Sequence, residues 1–397
     1  MPEIEYDGVI VVGLGGFGSA AAYHLAARGE TVLGFDPRLP GHTDGSSHGR
    51  TRMVRQAYFE DAAYVPLARR AWQLWHELED AAGEHLLTAS GVVGIGRIGD
   101  PVAIVHDTLD AGQQYGLPLD HLSANQIRAQ FPAITVGDDY EAVFEADAGF
   151  VDPQLTVAAH HRLAKEHGAV FEQRVVLGVE HDPVLRVITA DAVYRPRAVV
   201  MAVGPWAPEL LAGLELPIRT RRKVVAHFTP LDDTQLTADT FPAFFVTHND
   251  EEYYGFPVLD GQGLKIARHS SGEWCTPDTI DRTVHPHEVE ELHAVLREFI
   301  PAGAGDVRDS YTCMYTMSTD EDFIIGALPE APGLIVATGC SGHAFKFVPV
   351  IGEILADLAT GRPPQVDPTF LSPARFTAAA ASDVAPAAGR TRGFELA

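Results

Sequence analysis

Positive charge is scarce in this chain of 397 residues: 29 lysine and arginine residues stand against 54 aspartate and glutamate residues, a formal net charge of -25. Charge of that sign repels phosphate backbones and anionic lipid, which argues against nucleic-acid and membrane partners. No apolar run approaches the roughly 18 residues of a membrane-spanning helix. The start, MPEIEYDGVI, has neither the basic region nor the cleavage site of a signal peptide, so we expect a cytoplasmic protein.

Cysteine and lysine are also rare. The three cysteines, Cys275, Cys313 and Cys340, are odd in number and lack CxxC spacing, which indicates reduced thiols rather than a disulfide framework or a zinc site. Of the 29 basic residues only four are lysines, namely Lys165, Lys223, Lys265 and Lys346. A chain that uses arginine so consistently is expected to keep lysine where a compact ammonium or an adjustable pKa matters.

The rest of the composition is that of a globular protein. Apolar residues make up 46% of the chain and charged residues 21%, which excludes a wholly disordered or fibrous chain. A length of 397 residues exceeds one ordinary core of about 100–200 residues, so we expect about two domains.

A glycine-rich turn near the N-terminus predicts a dinucleotide site. Gly13, Gly15 and Gly18 form GxGxxG directly after the apolar run VIVV, and the helical pattern SAAAYHLAARG follows. Asp36 ends the next predicted strand. In this arrangement a pyrophosphate lies on backbone N–H groups at the helix N-terminus, and the acid binds a ribose hydroxyl. The alternative is a tight turn that binds no ligand.

The remaining patterns predict an α/β fold with an inserted sheet. Helical stretches such as QLTVAAHHRLAKEHG belong with the N-terminal unit, whose style returns in GLIVATG and the helix after it. Alternating segments such as RRKVVAHF and GLKIARHS indicate a mostly antiparallel sheet with one covered face. We expect a Rossmann-like domain that is discontinuous in sequence, comprising residues 1–85, 150–215 and 320–376. We expect the sheet domain to comprise residues 86–149 and 216–319, and residues 377–397 to form a flexible tail.

Several segments together resemble one enzyme family. The stretch VIVVGLGGFGSAAAYHLAARG is followed in order by SSHGRTRMVRQAYFED, YYGFP with GLKIARH, CMYTMSTDEDFIIG and GCSGHAFKF. These motifs, found between about Tyr6 and Phe376, are similar to those of the monomeric sarcosine oxidase family, with its N-methyltryptophan and pipecolate oxidases. The resemblance implies a glutathione-reductase-type FAD-binding domain, a sheet domain for substrate, and oxidation of a secondary amino acid to an imine while O2 becomes H2O2. It also implies a monomer whose partners are a small amino acid and O2.

By the same resemblance, the cofactor is FAD bound covalently through Cys313. Strand alternation in DSYTCMYTM places Cys313 on one face with Tyr315 and Met317. The ordinary alternative is a buried packing cysteine, and Cys275 and Cys340 are assigned to packing. The FAD-contacting residues that the resemblance implies are Gly13, Gly15, Gly18, Asp36, Arg52, Val175, Cys313, Tyr315, Gly342 and Lys346.

A second group of residues is implied to act on substrate and oxygen. Alternation in GLKIARHSS places Lys265 and His269 on one strand face, away from Leu264 and Ile266. The resemblance makes Lys265 the ammonium that stabilises superoxide, and it places His269 and Tyr254 beside the substrate. From the residues alone, the same pattern fits a solvated sheet face.

The basic cluster in HGRTRMVRQAYFE is assigned two roles by the resemblance. Arg55 is expected on the substrate carboxylate, where a planar guanidinium can donate two hydrogen bonds. His48 and Arg52 are expected near the flavin ring. Arg50 departs from the family pattern and either adds charge beside the flavin or points to solvent.

Lys346 is the predicted partner of Arg55 in this carboxylate clamp. It lies in about the first turn of the apolar helix in HAFKFVPVIGEILADL, where a cation opposes the helix dipole at a cost of about 0.3–1 kcal/mol. Such a placement indicates a nearby anion, which a substrate carboxylate would supply. The alternative is a lysine that extends to solvent from a frayed helix start.

Three alternatives stay open. An NAD-dependent amino acid dehydrogenase shares the glycine-rich motif but has no use for Cys313. A flavin-binding scaffold without turnover needs neither Lys265 nor Lys346. Within the oxidase interpretation, the substrate is sarcosine, a larger N-methyl amino acid such as N-methyltryptophan, or a cyclic imino acid such as pipecolate or proline.

Overall fold

The computed structural model describes residues 1–100 and 103–376, so the predicted tail, 377–397, lies outside the described residues. The helices are α1 Gly16–Ala27, α2 Val65–Ala82, α3 Ile104–Tyr115, α4 Ala124–Gln130, α5 Pro153–Glu166, α6 Ala207–Leu210, α7 Pro286–Phe299 and α8 Val348–Ala359. The strands up to residue 201 are β1 Glu3–Val12, β2 Val32–Asp36, β3 Arg52–Val54, β4 Leu87–Thr88, β5 Val92–Arg97, β6 Asp120–Ser123, β7 Tyr140–Glu145, β8 Gly149–Val151, β9 Val170–Gln173, β10 Val176–Glu180, β11 Arg186–Thr189 and β12 Val193–Met201. The later strands are β13 Ile218–Phe228, β14 Ala243–His248, β15 Glu251–Leu259, β16 Gly263–Arg268, β17 Trp274–Cys275, β18 Val307–Ser318, β19 Ile324–Leu328 and β20 Ala331–Thr338.

The first sheet carries the glycine-rich turn. Its order is β10-β11-β12-β1-β2-β9, with β20 paired to β12 and β19 paired to β20. The pairs that β1 makes with β2 and β12 are parallel, as are β2 with β9 and β12 with β20. In β1, Val9 and Val11 face a core that includes α1, whereas Ile10 and Val12 face the opposite core. A strand covered on both faces explains the uninterrupted apolar run in the sequence.

The second sheet is mostly antiparallel. Its order is β17-β13-β16-β15-β14-β5-β7-β6, and β18 pairs with β13. The pair of β14 with β5 is parallel. In β16, Leu264 and Ile266 pack in a core that includes residues of α7, while Ala267 packs with Cys313 on the other face. This alternation is the one that the sequence predicts. A small third sheet, β3-β8-β4, completes the strand set of the described residues.

Local sequence signals explain where the helices begin and end. The Asp152 side chain accepts from the N–H groups of Gln154 and Leu155, and Pro153 occupies the first turn of α5. Gly83, with φ of 65°, ends α2 in the left-handed region. In the part of the chain that the structure describes, no helix has both the length and the apolar character needed to cross a bilayer.

The predicted fold class is confirmed: a Rossmann-like sheet with helices accompanies a mostly antiparallel sheet. Strands of the first sheet lie within residues 3–36, 170–201 and 324–338, and those of the second lie within 92–145 and 218–318. The domain boundaries given above stay a prediction.

Candidate active site

A cavity of about 760 Å³ is lined by residues of both large sheets. The predicted site residues that line it are Gly13, Gly15, Asp36, Arg52, Arg55, Val175, Tyr254, Lys265, His269, Cys313, Tyr315, Gly342 and Lys346. Among the predicted residues, all of them described, His48 and Gly18 do not reach its wall. The glycine-rich turn defines one end of the cavity, called here the nucleotide end, and Lys265 with Cys313 defines the other, called the reaction end.

The nucleotide end has the form of a dinucleotide cradle. Gly13 has φ of 84°, and a Cβ on it would lie 2.5 Å from the carbonyl oxygen of Ala202. The Asp36 carboxylate accepts from the N–H of Leu14 at 2.8 Å, so it sits beside the turn as a ribose-binding acid must. A Cβ on Gly18 would lie 1.7 Å from the Gly13 carbonyl oxygen. Gly18 therefore serves the close packing of α1 on the turn, which explains its absence from the wall.

The same end fits FAD. The wall continues from the turn past Asp36 to Val175 and Trp206, so an extended ligand has room beyond the helix N-terminus. Gly13 and Gly15 have no side chain of their own to cover the backbone N–H groups of the turn, and the Ser47 hydroxyl lies beside them, where it accepts from the Gly16 N–H at 3.1 Å. At the reaction end, a Cβ on Gly342 would lie 2.2 Å from the Tyr315 ring, so glycine lets the backbone come closer to that ring than a residue with a side chain could.

Lys265 is a buried cation at the reaction end. Its Nζ donates to Thr51, at 2.9 Å to Oγ1 and 3.3 Å to the carbonyl oxygen, and lies 4.9 Å from the Phe256 ring centre. Burial, followed by the charge of Arg52, holds the pKa of Lys265 well below its usual value. Among the described residues its hydrogen-bond partner is the neutral Thr51, so an anion in the cavity would stabilise the ammonium form of Lys265.

Cys313 faces the same space. It is buried on β18, and the strand register places it opposite Lys223 of β13. Burial raises the pKa of the thiol, and the charges of Arg52, Lys265 and Lys223 oppose the rise. The net effect is a raised pKa, so the thiol form is favoured and the cations only reduce the cost of forming the reactive thiolate.

The other two cysteines differ from each other. Cys340, which we expect only to pack, also lines the cavity, and burial raises the pKa of its thiol to about 12. Its thiol is therefore protonated at neutral pH. Cys275 is half-buried in β17. All three cysteines are free.

Two tyrosines and a histidine form one wall of the reaction end. The Tyr315 hydroxyl donates to that of Tyr254 at 3.3 Å, and the His269 ring centre lies 5.6 Å from the Tyr315 ring. Burial, followed by the charge of Lys223, lowers the pKa of His269 to about 3, so its imidazole is neutral. Burial raises the pKa of Tyr254 to about 12, so its hydroxyl is protonated.

Arg52 holds the loop before β3 in place. Its guanidinium donates to the carbonyl oxygens of Thr51 at 2.7 Å, Ser46 at 3.0 Å and His48 at 2.7 Å. The His48 side chain is not part of the cavity wall, but its ring centre lies 5.5 Å from that of Tyr311, which is part of it. The expected place of His48 near the flavin ring stays a prediction, and the residue also meets the site through its carbonyl and Arg52.

Arg55 is paired inside the protein. Its Nη2 donates to both carboxylate oxygens of Glu60, at 2.7 and 2.6 Å, and its Nη1 donates to the carbonyl oxygen of Ala57 at 2.6 Å. Burial works to raise the pKa of Glu60, but the charges of Arg55, His343 and Lys346 together with the Arg55 hydrogen bond outweigh it, and the pKa is lowered to about 2. Arg55 also lines the cavity, and its assignment to the substrate carboxylate stays a prediction.

Lys346 is buried and not solvated, which excludes the frayed-helix alternative. It lies in a 3₁₀ turn, Phe345–Phe347, just before α8 rather than in the first turn of that helix. Its Nζ donates to the carbonyl oxygen of His343 at 2.7 Å and to the Tyr58 hydroxyl at 3.3 Å. One N–H of the ammonium therefore remains for a ligand. Burial, followed by the charge of Arg55, lowers the pKa of Lys346 to about 7.

The hydrogen-bond chain beyond Lys346 was not foreseen from the sequence. His343 Nε2 bonds the carbonyl oxygen of Glu321 at 3.0 Å, so the ring proton is on Nε2 and Nδ1 is an acceptor. The Tyr58 hydroxyl lies 2.5 Å from Nδ1 and donates to it. The lone pairs of the Tyr58 hydroxyl oxygen are thereby turned toward Lys346. Tyr58, Glu60 and His343 all fall inside the motifs quoted above, which was the available signal.

Arg50 points away from the reaction end. Its Nε lies 3.0 Å from Asp152 Oδ2, and its side chain is 46% exposed. The solvent-facing alternative for Arg50 is therefore the one that the structure adopts.

The whole-chain comparisons agree with this geometry. Residues 8–358 match the family model described as DAO, FAD dependent oxidoreductase, and the chain belongs to this family. The protein is thus an FAD-dependent oxidoreductase, which decides between the FAD and NAD interpretations of the glycine-rich turn.

Relatives within the family are similar over most of their length. The chain is 43% identical over 362 residues to the monomeric sarcosine oxidase of Streptomyces avermitilis, covering 89% of this chain and 93% of the relative. It is 37% identical over 378 residues to the N-methyl-L-tryptophan oxidase of Yersinia pestis, covering 94% and 100%. Among solved structures, the open form of NikD, an unusual amino acid oxidase, superposes with a TM-score of 0.81 at 25% identity, covering 93% of this chain and 98% of that one.

Proposed function

We propose that this protein oxidises a secondary amino acid, sarcosine or another N-methyl amino acid, to the imine, with O2 reduced to H2O2. The observation that carries the proposal is one cavity whose lining includes two buried lysines, Lys346 with a spare N–H and Lys265, together with the thiol of Cys313. The names of the relatives support the substrate class.

The substrate carboxylate binds Lys346. With Lys346 protonated, Arg55 and Lys346 carry two positive charges against the single carboxylate of Glu60, so the clamp keeps a net positive charge for the substrate carboxylate. The Tyr58 hydroxyl and the His343 carbonyl aim that ammonium, as their hydrogen bonds to Nζ use two of its three N–H groups.

The substrate amine enters uncharged. An ammonium has no lone pair to assist loss of hydride from the adjacent carbon, and the buried cations of the reaction end repel it. The neutral imidazole of His269 and the Tyr254 hydroxyl offer hydrogen bonds to an uncharged amine. Holding the carboxylate at one end fixes the amine at the other, so orientation supplies part of the rate.

The glycine-rich turn would hold the pyrophosphate of FAD, and Asp36 would bind its ribose. When bound, FAD would supply the acceptor for a hydride from the substrate carbon, while the amine proton leaves to solvent and O2 takes the two electrons with two protons to become H2O2. Cys313 Sγ would bond the cofactor as a thioether, replacing its S–H bond and one C–H bond of the cofactor while O2 takes up the two electrons, and the place of Cys313 on the cavity wall supports this role. Lys265 faces the oxygen that is reduced, since a fixed buried cation stabilises a developing superoxide.

The alternative substrates are a cyclic imino acid such as pipecolate or proline, and an N-methyltryptophan-like amino acid. The wall near Arg55 includes Phe59, Phe245 and Ile104, which suits an apolar substituent on the substrate. The proposed enzyme works as a cytoplasmic monomer.

The deciding experiment is a panel of secondary amines assayed for H2O2 with the purified holoenzyme. We expect sarcosine or another N-methyl amino acid to give the highest kcat/KM, with the primary amine glycine as the matched control. A yellow protein that produces no H2O2 from any member of the panel would instead indicate a flavin-binding scaffold without turnover.

A further inference from the structure

Lys223 is a buried lysine that the proposed reaction does not use. It lies in the middle of β13, is 4% exposed, and does not line the cavity. Its Nζ donates to the carbonyl oxygens of three consecutive residues, His269, Ser270 and Ser271, at 2.5 Å to the first and 3.0 Å to the second. In the ammonium form all three N–H groups are thereby used inside the protein, while burial lowers the pKa of Lys223 to about 7.

The chemistry of these acceptors requires a lysine. An ammonium has three N–H donors on one nitrogen, whereas a planar guanidinium cannot direct three N–H groups from a single atom. Three carbonyl dipoles that converge on one point also repel each other unless a cation lies between them. This site therefore explains why an arginine-rich chain keeps a lysine at position 223.

The three carbonyls belong to the turn that follows β16 and carries His269. Ser271 has φ of 51° and Gly272 has φ of 118°, so two successive residues occupy the left-handed side of conformational space. A Cβ on Gly272 would lie 2.4 Å from the Arg222 carbonyl oxygen. A backbone with a non-glycine residue in this region persists only where surrounding contacts hold it.

Lys223 and β15 together fix the backbone of His269 on both sides. The His269 N–H donates to the Glu252 carbonyl oxygen at 2.6 Å, and its own carbonyl accepts from Lys223. Lys223 Nζ also lies 4.9 Å from the centre of the Tyr315 ring, which is the ring that His269 packs against. One ammonium thus joins the turn to the wall that faces the cavity.

We propose that Lys223 is a positioning residue that holds the turn so that the His269 imidazole faces the substrate. The inference rests on the proposed function, since it takes His269 as a substrate contact. Lys223 thus acts from behind the cavity wall, whereas Lys265 and Lys346 are part of that wall.

The first test is amide hydrogen exchange on the intact holoenzyme. In Lys223→Met, and in Lys223→Gln as a second variant, we expect exchange in residues 264–275 to rise by about tenfold or more while the rest of the sheet is unchanged, since a local opening is made easier. Lys165→Met is the matched control, because Lys165 is the exposed lysine of α5. Unchanged exchange in both Lys223 variants would overturn the proposal.

The second test separates positioning from general stability by a double-mutant cycle. We expect Lys223→Met to lower kcat/KM by about tenfold in the wild-type background and by less than about twofold in the His269→Asn background. Equal factors in both backgrounds would overturn the positioning role. If the wild-type holoenzyme oxidises no secondary amine, the proposed function fails, while the exchange experiment still supports or overturns the anchoring by Lys223.

Discussion

Replacing Lys346 with methionine tests the carboxylate end of the site. Methionine keeps an unbranched side chain of similar length, so contacts with the Tyr58 and Phe347 rings are retained while the ammonium is lost. Arg55 replaces the ammonium only in part, because its Nη2 already donates to both carboxylate oxygens of Glu60. The substrate carboxylate therefore loses one charged donor.

The size of the effect follows from the hydrogen bond that is removed. A hydrogen bond to a charged group contributes about 1.5–3 kcal/mol, so kcat/KM for the free amino acid should fall about 10- to 150-fold. Most of the loss should appear in KM, since a carboxylate remote from the reacting carbon is bound alike in ground and transition states.

The pH dependence of carboxylate binding tests the same role of Lys346 a second time. The clamp needs the protonated lysine, whose pKa burial lowers to about 7. Affinity for a small carboxylate should therefore be highest below pH 7. As the pH rises above 7, the affinity should fall, and the fall should approach tenfold for each further pH unit. The Lys346→Met variant should bind the carboxylate weakly at every pH.

The assay is acetate binding, followed by the absorbance change of the bound flavin, beside kcat/KM from H2O2 production. Lys165→Met serves as the control for loss of one positive charge. Unchanged acetate affinity in Lys346→Met, or a substrate methyl ester oxidised by the wild type as readily as the free acid, would refute the clamp.

Four further outcomes are expected. Acid-precipitated wild-type protein should keep its yellow colour in the pellet, and Cys313→Ala should release it; wild-type colour that washes out contradicts a covalent bond. Lys265→Met should react with substrate within about tenfold of wild type but reoxidise in air about 10²-fold more slowly, measured by stopped flow, and equal slowing of both steps would point to a structural role instead. Tyr58→Phe should raise KM about tenfold with kcat changed less than about threefold, and an unchanged KM counts against its role in aiming the clamp. Gly342→Ala, where a Cβ would lie 2.2 Å from a tyrosine ring, should lower unfolding free energy by about 1–3 kcal/mol more than Gly261→Ala, which meets open space, and equal melting would contradict the crowding.

Features with a short sequence period could be predicted from the sequence. The turn with Gly13 and Gly15 follows from a strand and a helix that are adjacent in the chain. The shared face of Lys265 and His269, and that of Cys313 and Tyr315, follows from alternation along single strands. These are local consequences of backbone geometry, which is why they needed no knowledge of the fold.

The partners of the charged groups were decided by the tertiary structure alone. Tyr58 and Lys346, which are 288 positions apart, meet only when the loop before α2 folds over the turn before α8. Cys340 lines the cavity and His48 does not, because each position depends on which elements pack around the residue. Lys223 finds its three carbonyls 46 to 48 positions away. A sequence specifies that a cation is present, but its counterpart, its burial and hence its pKa come from segments brought together by the fold.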